Sequence, residues 1–176
     1  MNADRFAIAT PGARRQLMVL DAMAGIGGIR RARGLVIRQL APHEAPVPAK
    51  VAAAAFGGQE EAFLPRADLI RRGQARCYVG EVDGQPVATA LGVTAGEFSV
   101  ILNVATDPLF RRRGFGTAVT ARAVADGILA GAGWCWLEAS EEGYPVFRNL
   151  GFRTVEKWSR CPRAGARSVQ FLFTAC

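Results

Sequence analysis

The stretch Val104-Ala105-Thr106-Asp107-Pro108-Leu109-Phe110-Arg111-Arg112-Arg113-Gly114-Phe115-Gly116 decides the reading of this chain. An apolar strand runs into a Pro-containing turn, then a loop of Arg and Gly, then the start of a helix. Glycines at 114 and 116 let the backbone take dihedrals that other residues resist and come close to a ligand. The helix start adds unpaired N–H groups and the positive end of a dipole, so the layout suits a bound polyphosphate. A Walker loop needs Lys-Ser or Lys-Thr after its last Gly, whereas Gly116 is followed by Thr117-Ala118. A dinucleotide fingerprint needs three glycines at set spacing, which residues 114–118 do not supply. On its residues alone the loop also suits a solvated basic patch, and the rest of the chain has to decide.

Working outward, 176 residues of which 50% are hydrophobic suffice for one well-buried domain. No apolar run reaches the roughly 20 residues that cross a bilayer, and the first residues lack the continuous apolar core of a signal peptide. The expectation is a soluble, cytoplasmic protein with no membrane partner. Cys77, Cys135, Cys161 and Cys176 form no C-x-x-C pair and His43 is the only histidine, so neither a metal cluster nor a disulfide framework is encoded. That His lies in the Pro-rich residues 42–48, read as a loop, which argues against Ser-His-Asp or Cys-His catalysis. The formal charge of +7 rests on arginine, because Lys50 and Lys157 are the only lysines. Such a balance favours an anionic ligand. The arginines fall in short scattered clusters rather than along one helix face or among sheet aromatics, which speaks against nucleic acid.

Residues 1–33 mix Gly25-Ile26-Gly27-Gly28 with basic residues and predict only a short helix at residues 16–24. Residues 35–40 predict a strand, and residues 49–56 an Ala-rich helix stopped by Gly57-Gly58. A second, amphipathic helix is expected over residues 60–72, with acids early, Arg71-Arg72 late and Gly73 at its end. Residues 75–82 and 86–93 predict a β-hairpin around Asp83-Gly84, a dipeptide such turns favour. Residues 98–106 predict the next strand. Ala118, Ala121, Ala125, Ile128, Leu129 and Ala132 then recur at helical spacing, giving a helix that ends near Gly131. A buried strand at 134–139, a short helix at 142–150 closed by Gly151, a strand at 152–158 and a last strand at 169–174 complete the order. Trp134 and Trp136 alternate with Cys135, share one face and read as core. This order is mixed α/β: a central mixed sheet with helices on both faces, in which residues 98–139 form a βαβ crossover.

Together with the opening stretch, the run Trp136-Leu137-Glu138-Ala139-Ser140-Glu141-Glu142-Gly143-Tyr144-Pro145-Val146-Phe147-Arg148-Asn149-Leu150-Gly151-Phe152 resembles the GNAT superfamily of acetyl-CoA-dependent N-acyltransferases. Its first motif, a strand followed by Arg/Gln-x-x-Gly-x-Gly/Ala, is matched by Arg111, Gly114 and Gly116. The second ends in a run of aromatic-x-x-Leu-Gly-Phe, matched by Phe147 to Phe152. The resemblance covers residues 35–175 and implies a GNAT-like domain at 34–176 behind an N-terminal extension at 1–33. It implies a mostly antiparallel sheet of about six to seven strands, with a splayed pair of strands forming an acyl-CoA cleft. The amides of Arg111, Arg112, Arg113, Gly114, Phe115, Gly116 and Thr117 would hold the coenzyme A pyrophosphate. Val104, Ala105 and Thr106 would pair with pantetheine like an added strand. Ser140 stands where many members carry an Asn that contacts the coenzyme, and Phe147 would line it.

The chemistry implied is direct attack of a neutral amine on acetyl-CoA, the cosubstrate, with the oxyanion held by the backbone N–H of Val104 and no metal. Many relatives protonate the leaving thiolate with a Tyr that here is Phe147. Water would then serve, or Tyr144, nearly one helical turn earlier. The alternative raised by Phe147 is a non-catalytic acyl-CoA-binding or regulatory module. Candidates for a general base are Glu97, Glu138 and Glu81, though an acid at a strand end is more often a solvated surface group. Glu60, Glu61 and Asp68 would attract a cationic amine, and their spacing equally suits a solvated helix face. The partners expected are acetyl-CoA and an amine-bearing substrate, with a homodimer allowed.

Overall fold

The computed structural model describes residues 14–28 and 32–159. Among them, seven strands form one sheet: β1 (Arg14–Asp21), β2 (Val36–Gln39), β3 (Ala75–Val82), β4 (Gln85–Ala95), β5 (Phe98–Thr106), β6 (Trp134–Ser140) and β7 (Arg153–Ser159). Their spatial order is β2-β3-β4-β5-β6-β1-β7, and all neighbours are antiparallel except β5 and β6. Helices α1 (Pro46–Phe56) and α2 (Ala67–Arg71) pack on one face, against Cys77, Val79 and Leu91 among others. Helices α3 (Phe115–Leu129) and α4 (Tyr144–Asn149) pack on the other, over Tyr78, Ala90, Ile101, Leu137 and Met18. The mixed α/β class and the mostly antiparallel sheet agree with the sequence reading. The strand expected at residues 169–174 and the loop before it lie outside the described residues. No helix among the described residues is long and apolar enough to cross a membrane.

Local chemistry sets the elements that matter for the site. Asp83 and Gly84 both have positive φ, 50° and 77°, the geometry of a two-residue hairpin turn whose twist matches its strands. The hairpin fixes β3 against β4, and β4 in turn pairs with β5 as far as Thr106. Helix α3 lies close along β5 because small residues face the strand: a Cβ on Gly127 would stand 2.6 Å from Ser99 Oγ. Across the sheet, the buried Tyr78 hydroxyl donates to Asp126 Oδ2 at 2.7 Å, and Arg122 Nε donates to the same oxygen at 2.8 Å. Burial and the Asp126 carboxylate both push the Tyr78 phenol up, so it stays a donor. This bond fixes α3 to β3 through a desolvated contact.

Four sequence expectations are corrected. Residues 14–21 form β1 rather than part of a helix, because every second side chain, Met18 and Leu20, enters the core at 0% and 1% exposure. The part of the extension at residues 14–21 is therefore built into the same sheet as the rest. Residues 60–72 do not form one helix: a 3-10 turn at Glu60–Phe63 is separated from α2 by Pro65, which holds Leu64 extended at ψ 123°. Pro46 and Pro48 stand in the first turn of α1, where a missing N–H costs nothing, so the loop containing His43 is shorter than expected. Trp134 is 36% exposed and Trp136 half-buried, since no helix among the described elements covers that face beside α1 and α2.

The placement of β1 has a direct check. Met18→Ala is expected to destabilise the chain by about 2–5 kcal/mol, as for other fully buried large-to-small changes, read as a lower urea midpoint at unchanged slope. A change within about 0.5 kcal/mol, typical of surface substitutions, would remove β1 from the core.

Candidate functional site

Strands β5 and β6 begin as neighbours and then part. Their parallel ladder covers only Phe98↔Trp134, Ser99↔Cys135 and Val100↔Trp136. Beyond it β5 runs on to Thr106 and β6 to Ser140. Each is held from its outer side: Ala88 pairs with Thr106 on one flank, and Arg15 with Ser140 on the other. Between them opens a gap whose β5 wall presents backbone N–H and C=O groups that take no partner from β6. Such groups need a hydrogen-bond partner from water or a ligand.

The β5 wall is bent at one place. Thr89 pairs with Ala105 and Leu91 with Leu102, so Asn103 and Val104 together oppose the single residue Ala90. This is a β-bulge, and Asn103 takes the left-handed φ of 48° that the extra residue requires. A bulge leaves its extra residue unpaired and disrupts the ladder locally, here at the level where β6 has already left.

The Arg-Gly loop closes one end of the gap. Asp107 accepts through Oδ1 from Leu109 N at 2.9 Å, which starts the turn after β5. Arg112 and Gly114 both have positive φ, 64° and 81°, and Gly114 forms the N-cap of α3. The first helical bond is Ala118 N to Gly114 O, so the N–H groups of Phe115, Gly116 and Thr117 have no acceptor within the helix. Gly116 allows close contact with β5, where its Cβ would meet Thr106 Oγ1 at 3.1 Å. Arg111 is turned aside: its guanidinium donates to Ala55 O at 2.9 Å and sits 3.4 Å from Thr106 O, fastening α1 to the loop. Arg113 stacks on the Phe110 ring, 5.1 Å from its centroid, and Arg112 is exposed. Backbone amides and the Arg112 and Arg113 charges are what the loop offers an anion.

Beyond β6 the chain turns into α4. Ser140 Oγ accepts from Gly143 N at 3.1 Å and so shapes that turn while keeping its own proton to donate. Phe147 is 6% exposed and meets Phe152 edge-on at 6.2 Å. Tyr144 is half-buried beneath Arg148, whose guanidinium stands 5.9 Å from the ring centroid.

Sequence comparison supports what this geometry suggests: residues 52–144 match the model of the acetyltransferase (GNAT) domain. The chain belongs to this GNAT family. Comparison with curated proteins gives no match. Among solved structures, a GCN5-related N-acetyltransferase from Kribbella flavida is 22% identical with a TM-score of 0.64, covering 84% of this chain and 57% of that one. Another from Sphaerobacter thermophilus is 18% identical with a TM-score of 0.70, covering 85% and 51%. The present chain thus spans little more than half of those two proteins. A Clostridium acetobutylicum acetyltransferase solved with acetyl-CoA is 18% identical with a TM-score of 0.58, covering 68% of this chain and 90% of that one.

Within the GNAT frame, the structure brings Val104, Ala105, Thr106 and the loop residues 111–117 to one end of the gap, with Ser140, Tyr144 and Phe147 on the α4 side. Of the acidic candidates it leaves Glu97 and Glu81 away from the gap, whereas Glu138 lies on the β6 wall, two residues beyond the last β5–β6 pair. Glu97 lies in the turn before β5, where its carbonyl accepts from Gly133 N and Trp134 N; this is the closed end, about 20 Å of strand from Val104. Glu138 pairs with Arg15 at 3.5 Å, and Glu81 is held by Arg38 together with Glu44. Asp68 pairs with Arg66, whose hydrogen bond keeps its carboxyl below the usual range, while Glu60 and Glu61 are exposed on the 3-10 turn. Asn103 was missed by sequence reading. Its one signal was a polar residue in an otherwise apolar stretch, Val100 to Val104.

Gly114→Asp tests the loop. Nothing stands within 4 Å of a Cβ there, and Asp tolerates the left-handed region better than most residues, so the variant is expected to fold. Its carboxylate should weaken coenzyme A binding at least about tenfold by calorimetry, the equivalent of roughly 1.4 kcal/mol. Unchanged affinity in the folded variant would refute the cradle.

Proposed function

We propose that this GNAT domain transfers the acetyl group of acetyl-CoA to a primary amine by direct attack within a ternary complex. The observation that carries this reading is the divergence of β5 from β6 beside the Arg-Gly loop and the N-terminus of α3. Loop and helix amides would hold the pyrophosphate, and the free edge of β5 at Val104 and Thr106 would pair with the pantetheine amides. Acetyl-CoA, when bound, supplies the activated thioester. The Val104 N–H would then stabilise charge developing on the carbonyl oxygen.

Two features favour direct attack over an acyl-enzyme. The cysteines among the described residues, Cys77 and Cys135, are both buried, and burial pushes their thiols up to about 12 and about 11, so neither is a thiolate near neutral pH. Second, the amine and thioester can meet in the open gap without a protein nucleophile. Phe147 offers no proton to the leaving thiolate, and water takes that role. The same buried Phe147 favours the second reading, a domain that binds acyl-CoA without turnover.

Thiol release from acetyl-CoA across a panel of primary amines tests the proposal, with at least one amine expected to support turnover. Coenzyme binding by calorimetry with no turnover on any amine would favour the binding module. With an acceptor in hand, Tyr144→Phe is expected to keep kcat within about threefold. A loss of about 10²-fold or more, the scale of a general acid, would assign the proton to Tyr144 instead.

A further inference from the structure

The bulge in β5 supports an inference that rests on the acetyltransferase reading and extends it to a residue with no role so far. Asn103 has a φ of 48° inside a strand, where glycine would make the same bend with no Cβ penalty. The chain instead places there a carboxamide, which donates through N–H₂ and accepts through its carbonyl. Asn103 is half-buried, and among the described residues its side chain has no hydrogen-bond partner. A polar group so placed, next to backbone that also lacks a partner from β6, is left for a ligand or water to satisfy.

The ladder locates it. Asn103 and Val104 share the place opposite Ala90, beyond the last β5–β6 pair at Val100. Charge on a thioester oxygen beside Val104 N–H is therefore within one residue of a second N–H donor, and side-chain amides are among the groups that serve in such sites. We propose that the Asn103 carboxamide donates to the thioester carbonyl, forming with Val104 N–H a two-donor oxyanion site. In the step it would assist, the amine nitrogen bonds to the carbonyl carbon and the carbonyl π pair moves to oxygen between the two donors. The pair then returns, the C–S bond breaks with its electrons on sulfur, sulfur takes a proton from water, and the nitrogen gives its extra proton to water.

Two variants of the full chain test this. Asn103→Gly keeps the backbone bend and removes the carboxamide; Asn103→Asp keeps the size and tolerates positive φ but, ionised, donates nothing. By calorimetry both should bind coenzyme A within about twofold of wild type, which also reports an intact fold. The Asn103 bond should give acetyl-CoA about threefold to tenfold extra affinity over coenzyme A, the worth of one hydrogen bond, and both variants should lose that increment while keeping what Val104 N–H contributes. Turnover with an amine acceptor should fall by about 10²–10³-fold, the effect of removing one oxyanion donor. Variants that keep both the acetyl-CoA preference and turnover would overturn the assignment and leave Asn103 a backbone role only. Wild-type protein that binds no coenzyme A would instead overturn the underlying reading, so the two failures are distinct.

Discussion

The site depends on how β6 is held. Its outer edge pairs with β1 along seven residues, from Arg15↔Ser140 to Asp21↔Trp134, while its inner edge meets β5 for only three. Strand pairing is cooperative with side-chain burial, and β1 contributes Met18 and Leu20 to the core that also holds Leu137, Leu150 and Phe152. Each such buried side chain is worth about 1.5–3 kcal/mol as an upper estimate. With its outer edge secured this way, β6 can leave β5 without unravelling the sheet. The gap is a consequence of unequal pairing on the two edges of one strand.

The opposite wall is secured as firmly. The Asp83-Gly84 hairpin and the β4–β5 ladder fix β5 up to Thr106, while Tyr78, Asp126 and Arg122 tie α3 across the sheet. Arg111 then joins the loop to the end of α1 through Ala55. Loop amides and helix dipole are thus presented on a rigid frame, which lowers the entropic cost of ordering them around an anion. The one irregular position in that wall, Asn103, lies at the gap rather than in the covered part of the sheet. Bulges are over-represented at sheet edges and next to active sites.

Much of this was legible in the sequence because it is local. The hairpin followed from Asp83-Gly84, β5 from its apolar run bounded by Gly96 and Pro108, and α3 from its spacing of Ala and Leu after Gly116. What was not legible depends on distant partners. Arg14–Asp21 carries four bulky apolar residues in a row, Leu17 to Leu20, with no alternation, and its strand partners begin at Trp134 and Arg153, so no local period reveals its register. Trp134 and Trp136 were placed on one face correctly, but which face is covered depends on where α1 and α2 end. The bulge at Asn103 is a two-against-one register, invisible to periodicity. The cleft itself entered the sequence reading through family resemblance, because unpaired edges leave no compositional trace.

The central claim is that the diverging strands and the Arg-Gly loop form one coenzyme site, and amide hydrogen exchange with and without coenzyme A measures it directly. Slowed exchange should appear in peptides covering residues 102–106 and 114–118 together, because their free N–H groups gain acceptors, with little change in β2 or β3. Protection confined to other segments, or none at saturating coenzyme, would contradict the account.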